Sequence, residues 1–546
     1  MKTLFLFIFA FFAVFLPSTT AQNASIHLNS LGFMPQSSKK ASIIGEYNSF
    51  VIKRVSDEAV VFKGKVTGSV FQKDVSQNVS MADFSSFSKS GKYFLEIAGG
   101  VKSIEFEISP KVYNQPFYTS MRAFYLWRCG TAVDGIHNGI HYSHESCHLE
   151  DGYEDFQGKP GERRDGTKGW HDAGDYGKYV VNAGITVGMM FMAWDQFQDK
   201  LKKFSLDLPE TAPGYPDFLK ELKWETDWLL TMQYTDGSGK VSHKLTRKNF
   251  APFIKPEDDK EKRYFTDWSS AAVADFVAVM AQASRYFGPF DKAYSQKCLA
   301  AAQLSYNFLK ENPEDQKFVQ GEFKTGGYQT SDKDDRLWAA VEMWETTGNI
   351  EFLKDFEKQA KELDFKIDED WDWSDVSNLG MFEYVVSKKS GKNPEILKTI
   401  RQNCIDVANI IALKAAADVY GRSLAGKYYW GCNGTIARQV LNLQVANRIS
   451  PDKVYIKTSQ DAIAHLFGRN YYNRSYVTGL GINPAMNPHD RRTGSDNVLE
   501  PWPGYLVGGG QSATGWNDIQ EDYRTNEIAI NWQGALVYAL AGFIGK

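Results

Sequence analysis

Gly169-Trp170-His171-Asp172-Ala173-Gly174-Asp175-Tyr176-Gly177-Lys178 leads straight into Tyr179–Phe197, a long apolar stripe. Asp172 and Asp175 flank two small residues at the entrance to that stripe. Small residues let a ligand approach, and helix-start amides would hold the two carboxylates ionised. Taken alone, this stretch reads more readily as a helix cap beside a surface carboxylate. Outward from it, from about Val112 onward, the apolar period is helical. Besides the stripe, helices are expected near 114–127, 216–233, 268–286, 290–311, 335–347, 350–363, 376–388, 394–419, 434–448, 456–468 and 527–544. Twelve helices are what six helical hairpins closed into a ring would need. Upstream, from about Gln22 to Pro110, the period is two, as in Phe50-Val51-Ile52-Lys53-Arg54-Val55 and Tyr93-Phe94-Leu95-Glu96-Ile97. Turn signals at Lys89-Ser90-Gly91 and Gly99-Gly100 separate these runs, which suits a small β-sandwich.

The chain has 546 residues, 43% of them apolar, enough for a large core and more than one domain. Its 62 basic and 66 acidic residues leave a net charge of −4, so a dedicated nucleic-acid surface is excluded as a reading. Met1-Lys2-Thr3 is a short basic start, Leu4 to Leu16 is unbroken and apolar, and Pro17-Ser18-Thr19-Thr20-Ala21 supplies small residues for cleavage. Residues 1–21 are therefore expected to be a secretory signal. No later stretch is long and apolar enough to span a membrane. The expected product is an exported protein, secreted or periplasmic, acting as a monomer. The expected division is 1–21 signal, 22–110 β-sandwich and 111–546 helical domain.

Five of the nine histidines fall between His137 and His171, with Cys129 and Cys147 in or beside that stretch. Cys129, Cys147, His148 and His171 make a four-ligand set of the types zinc prefers, and a closed set of four is structural. A Cys129–Cys147 disulfide is the alternative for an exported protein. Cys298, Cys404 and Cys432 read as buried thiols. A second acidic motif, Asp522-Tyr523-Arg524-Thr525-Asn526-Glu527-Ile528-Ala529-Ile530, puts Glu527 where the last apolar helix opens. Between the motifs, Asn483-Pro484-Ala485-Met486-Asn487-Pro488-His489-Asp490-Arg491-Arg492 offers His and Arg side chains that could clamp hydroxyls. Trp170, Trp502 and Trp516 lie in expected loops, where sites gather.

These motifs resemble family 9 glycoside hydrolases, the group with an immunoglobulin-like module before an (α/α)6 barrel, and the likeness covers essentially the whole mature chain. It is carried by Asp172 to Tyr179, by Asn526-Glu527-Ile528-Ala529-Ile530, by Asn487 to Arg491, and by the opening Leu28-Asn29-Ser30-Leu31-Gly32-Phe33-Met34-Pro35. The resemblance implies that Asp175 is the base activating water, Asp172 its accessory and Glu527 the general acid. It implies sugar contacts at His489 and Arg491, with Tyr523 counted beside them. Asp490 stands where the family has a second His. The same subgroup binds zinc through two Cys and two His, matching Cys129, Cys147, His148 and His171. Several relatives also bind calcium. The nearest counterpart here, Ser331-Asp332-Lys333-Asp334-Asp335-Arg336, has Arg336 where a carboxylate is expected.

Hydrolysis with inversion asks for one protonated and one ionised carboxyl group roughly 6.5–9.5 Å apart across the sugar. A Glu of ordinary pKa, about 4.3, is almost wholly ionised near neutrality, so a general acid at Glu527 requires a dry or carboxylate-facing setting. The expected function is inverting cleavage of β-1,4-glucosidic bonds in cellulose, cellodextrins or related β-glucans, endo-acting. The alternatives are an exo-acting β-glucosidase or exo-glucosaminidase of the same family, and a non-catalytic carbohydrate-binding protein.

Overall fold

The computed structural model describes residues 26–211 and 214–545. The expected signal at 1–21 lies outside the described residues. Nine short strands come first: β1 (Ile26–Leu28), β2 (Lys40–Ile44), β3 (Ser49–Arg54), β4 (Val60–Lys65), β5 (Val70–Gln72), β6 (Gln77–Asp83), β7 (Gly91–Ile97), β8 (Val101–Lys102) and β9 (Phe106–Ile108). One sheet runs β1-β2-β6-β5 and the other β4-β3-β7-β8, with β9 also on β7. Alternate residues point inward, so Ile26, Leu28, Ile43, Phe50, Ile52, Tyr93, Leu95, Phe106 and Ile108 form a shared core between the sheets. The module is fixed to the helical domain. Lys40 pairs with Asp461 at 2.8 Å, the His27 ring hydrogen-bonds the Asn470 carbonyl, and the Ser30 amide donates to Phe467.

The remainder is mainly helical, with a two-stranded and a three-stranded sheet in its loops: α1 (Asn114–Leu126), α2 (Val180–Leu201), α3 (Asp217–Met232), α4 (Ser270–Phe287), α5 (Lys292–Glu311), α6 (Lys333–Thr347), α7 (Ile350–Glu362), α8 (Ser377–Val386), α9 (Pro394–Ala417), α10 (Cys432–Ile449), α11 (Lys453–Leu466), the single turn α12 (Tyr523–Asn526) and α13 (Ile530–Ala541). Helices α2, α4, α6, α8, α10 and α13 pack in succession, and α13 returns to α2, closing an inner ring. The others alternate with them outside. This is an (α/α)6 barrel behind an immunoglobulin-like sandwich. Sequence pattern sorts the rings. α2 is buried from Val180 to Trp194, and α13 along its whole length, as helices apolar on all sides must be. α7 buries only Phe352, Leu353, Phe356 and Ala360. Gly188 marks a close inner contact, since a Cβ there would lie 2.6 Å from Trp338. Polar N-caps start several helices by accepting from first-turn amides, among them Ser269, Asp291, Asn393 and Asp452.

No helix of the described residues is long and apolar enough to cross a membrane. The segments leading from outer into inner helices gather at one end of the barrel. The chemistry-bearing residues lie there.

Candidate active site

Asp172 and Asp175 sit in a turn eight and five residues ahead of α2. The turn is seated by Gly174, where a Cβ would run into the His489 carbonyl. Asp175 Oδ2 accepts from the Gly177 amide and the Tyr179 hydroxyl, each at 3.0 Å. Asp172 accepts from Asn182 Nδ2 and the Tyr328 hydroxyl, both at 2.7 Å. Helix-start amides, the expected partners, take no part: α2 starts at Val180, and side chains supply three of the four bonds. Nor do these bonds keep Asp172 at an ordinary carboxylate pKa. Burial first, and then the charge of Asp175, push it up to about 8 against the pull of Asn182 and Tyr328.

Glu527 does not open the last helix. It is extended, following the α12 turn and three residues ahead of Ile530. Its segment is threaded between two others: it bridges to His489 on one side, and its carbonyl accepts from Gly508 at 2.9 Å. Ala529 bridges to Ala173, and the Ile530 amide donates to the Asp172 carbonyl at 2.9 Å. The two acidic motifs, 352 positions apart at Asp175 and Glu527, are thus stitched backbone to backbone. Burial raises the Glu527 carboxyl well above the usual range, with the charges of Asp175 and Asp172 adding to it. Arg491 and the Trp430 indole pull the other way.

Rings run across the face above these carboxyl groups. Phe253 meets His489 edge-on at 5.4 Å, His489 meets Tyr523 at 6.1 Å, and Tyr523 meets Trp430 at 5.6 Å. Phe253, Tyr523 and Trp430 are between 37% and 50% exposed, so their outer surfaces are open to a flat ligand. His489 Nδ1 bonds the Gln520 carbonyl at 2.7 Å, so it carries the proton. Burial lowers the ring's pKa, leaving Nε2 an acceptor. Arg491 Nε and Nη1 donate to the Ala251 and Gly174 carbonyls at 2.6 and 2.7 Å. Asp490 is buried and paired twice with Arg492 at 3.1 Å. Trp170, Trp502 and Trp516 are buried, at 4% exposure or less, and form packing rather than sugar platforms. Trp516 serves indirectly, donating to Asn526 beside Glu527.

Sequence reasoning did not single out Tyr328, Asn182 or Trp430. Tyr328 has a faint backbone signal, a φ of 43°, costly for a bulky residue and typical of sites that over-determine a conformation.

Beside this site, residues 127–129 lie along 169–171. The Cys129 amide donates to Gly169, and the His171 amide to Trp127. Cys129, Cys147, His148 and His171 are buried, and their donor atoms lie within 4.8 Å of one another. Sγ of Cys129 is 3.6 Å from His148 Nδ1, Sγ of Cys147 is 3.8 Å from His171 Nε2, and the two ring nitrogens are 3.4 Å apart. Both cysteines are free thiols, not the alternative disulfide. Burial pushes His171 down to about 3, keeping the ring in the neutral form that can ligate. His148 Nε2 backs onto Asp259 at 3.4 Å, the outer carboxylate that orients a metal-bound imidazole. The donors fit a metal ion.

At Ser331–Arg336 the cation is built in. Arg336 donates to Asp332 at 2.6 Å and to the Leu309 and Asn312 carbonyls at 2.9 Å. Its guanidinium places a fixed positive charge beside Asp332.

The family model described as Glycosyl hydrolase family 9 matches residues 113–540. That for the Cellulase N-terminal ig-like domain matches residues 21–102. Endoglucanase D of Acetivibrio thermocellus is 54% identical over 96% of this chain and 84% of its own length. A xyloglucan-specific endo-beta-1,4-glucanase of Bacteroides ovatus is 31% identical over 95% of this chain and 94% of its own. Among solved structures, a Zn-binding triple mutant of a family 9 endoglucanase superposes with a TM-score of 0.86 at 28% identity, covering 94% of this chain and 99% of that one.

Proposed function

The chain belongs to glycosyl hydrolase family 9, and from that premise we infer that it is an endo-β-1,4-glucanase that cleaves cellulose-type β-glucans with inversion. The observation that carries the mechanism is Glu527, threaded between His489 and Gly508, where desolvation first, and then the charges of Asp175 and Asp172, raise its carboxyl group well above the usual range. Such a carboxyl group can donate a proton near neutrality. Glu527 gives that proton to the glycosidic oxygen as the bond to the anomeric carbon breaks. Water attacks that carbon from the opposite face, and Asp175 takes the water's proton. Asp172, held by Asn182 and Tyr328, steadies the water. The product leaves with its anomeric configuration inverted. His489, Arg491 and Tyr523 border the same face, where an open row of rings suits internal binding of a long glucan.

Zinc is the metal we assign to the Cys129, Cys147, His148 and His171 set. Two thiolates and two imidazoles suit it. Bonds of about 2.3 Å to sulfur and about 2.0 Å to nitrogen separate tetrahedral ligand atoms by roughly 3.3–3.8 Å, in line with the spacings of 3.4, 3.6 and 3.8 Å. With four protein ligands the ion would be structural, tying the end of α1 to the loop that carries Asp172. We read the enzyme as an exported monomer. The basic, apolar start of the sequence supports export, as does a substrate too large to enter a cell.

Time-resolved product sizing on a soluble β-glucan and on cellohexaose, with NMR of the anomeric configuration of new ends, tests the reading. Mixed intermediate sizes and an inverted α-anomer are expected. Single terminal units or retained β-anomer would overturn it.

A further inference from the structure

The N-terminal module touches the barrel at a place that leads to the acid. Between α9 and α10 runs Asp418–Gly431, and the β5–β6 hairpin grips it along its length. Gln72 Nε2 donates to Asp418 Oδ2 at 2.8 Å, and the Val419 amide returns a bond to Gln72 Oε1 at 2.9 Å. The Tyr420 hydroxyl donates to Gln77 Oε1 at 2.6 Å, and the Tyr428 hydroxyl to Asp74 at 3.2 Å. Val75 and Val79 of the hairpin bury themselves against Val419, Tyr420 and Ala513.

Two residues after Tyr428 comes Trp430. Its neighbours are fixed as well. The Tyr429 hydroxyl bonds Asp370 and Thr435. Gly431 has a left-handed φ of 89°, and a Cβ there would lie 2.7 Å from Trp532. The ring that results is half exposed and edge-on to Tyr523, four residues before Glu527, and it is among the groups that lower the pKa of that acid.

We propose that the β5–β6 hairpin is a positioning element of the active site: by clamping Asp418–Gly431 it fixes Trp430 against Glu527. The proposal rests on the glucanase reading and deepens it. Trp430 is the residue that acts on the acid, and Gln72, Asp74 and Gln77 act through it. The indole N–H favours the charged form of Glu527. Losing it raises the pKa of the acid and moves the alkaline limb of the rate profile to higher pH. A module that merely added stability would leave that limb in place.

The test uses the full chain in four forms: wild type, Gln72→Ala/Gln77→Ala, Trp430→Phe, and the combination. In the hairpin variant kcat/KM on soluble β-glucan is expected to fall about three- to tenfold, with the alkaline limb displaced upward. Trp430→Phe should displace it the same way, and the combination should add nothing further. Hydrogen exchange across 418–431 should speed up in the hairpin variant. Tyr428→Phe, which removes one bond alone, serves if the double variant folds poorly. Full additivity, an unmoved limb with only a lower melting temperature, or unchanged exchange across 418–431 overturns the proposal. A wild type inactive on β-glucan instead overturns the glucanase reading, and the exchange measurement then decides the clamp on its own.

Discussion

Replacing Tyr328 with Phe removes one oxygen and tests how Asp172 is held. That hydroxyl donates to Asp172 Oδ2 at 2.7 Å and accepts from Asn182 at 3.2 Å. Asp172 stands at about 8 because burial and the charge of Asp175 outweigh two opposing hydrogen bonds. A hydrogen bond to a charged group contributes about 1.5–3 kcal/mol. At about 1.36 kcal/mol per pKa unit, its loss raises Asp172 by about one to two units. A carboxylate that steadies the attacking water acts when ionised, so the rate rises as pH passes upward through its pKa. The acid limb of kcat/KM in Tyr328→Phe should therefore move up by about one to two pH units, and the rate near neutrality should fall about ten- to a hundredfold. The assay is reducing-end release from soluble β-glucan from about pH 5 to about pH 10.5, a range that reaches one to two units above the starting pKa of about 8, with thermal unfolding to confirm the fold. In an Asp172→Asn background the same substitution should leave that limb alone. A limb that stays put in Tyr328→Phe, or an equal loss in both backgrounds, refutes the argument that Tyr328 works through Asp172.

Glu527→Gln and Asp175→Asn should each lower kcat by about 10²- to 10⁴-fold without loss of fold; near-normal turnover in either would end its catalytic assignment. Elemental analysis of purified enzyme should find about one zinc per chain, and Cys147→Ala should abolish it and lower the unfolding temperature; a metal-free wild type, or full metal content in the variant, would refute the assignment. The buried pair Asp275 and Asp335 on α4 and α6 is pushed well above the carboxylate range, mainly by burial. Folded pKa values above the unfolded value mean stability present in full below about pH 4 and lost as pH rises. Asp275→Asn removes one such group, so denaturant curves at pH 5 and 8 should show a shallower decline, by up to about 1.4 kcal/mol per pH unit; an unaltered slope would refute it.

Twelve expected helices match the twelve long ones seen among the described residues, most ends within about two residues, because inner and outer helices carry strong apolar patterns of different width. The sandwich was equally legible from period-two alternation. Ring closure was not, since it depends on α13 meeting α2 across the barrel, and no repeat in the sequence announces it. Glu527 was misplaced for an instructive reason. Apolar residues continue without a break from Ile528 into α13, so periodicity alone pulls the helix start back over the acid. What holds Glu527 extended is pairing with His489 and Gly508, from segments about 40 and 20 residues away, and no local propensity encodes that. The same logic separates the residues that the motifs revealed from those they hid. Tyr179 lies four residues from Asp175 and travels with it in one run. Tyr328 lies 156 residues from Asp172, and Trp430 lies 97 from Glu527, so each reaches its carboxyl group only through the barrel. The expectation that helix-start amides would hold Asp172 failed for this reason. It assigned to the local chain a task that the fold gives to a tyrosine from the α5–α6 connection. Sequence therefore discloses the carboxyl groups proposed to react, and conceals those that set their protonation, because protonation here is fixed by contacts that exist only once the ring of helices has closed.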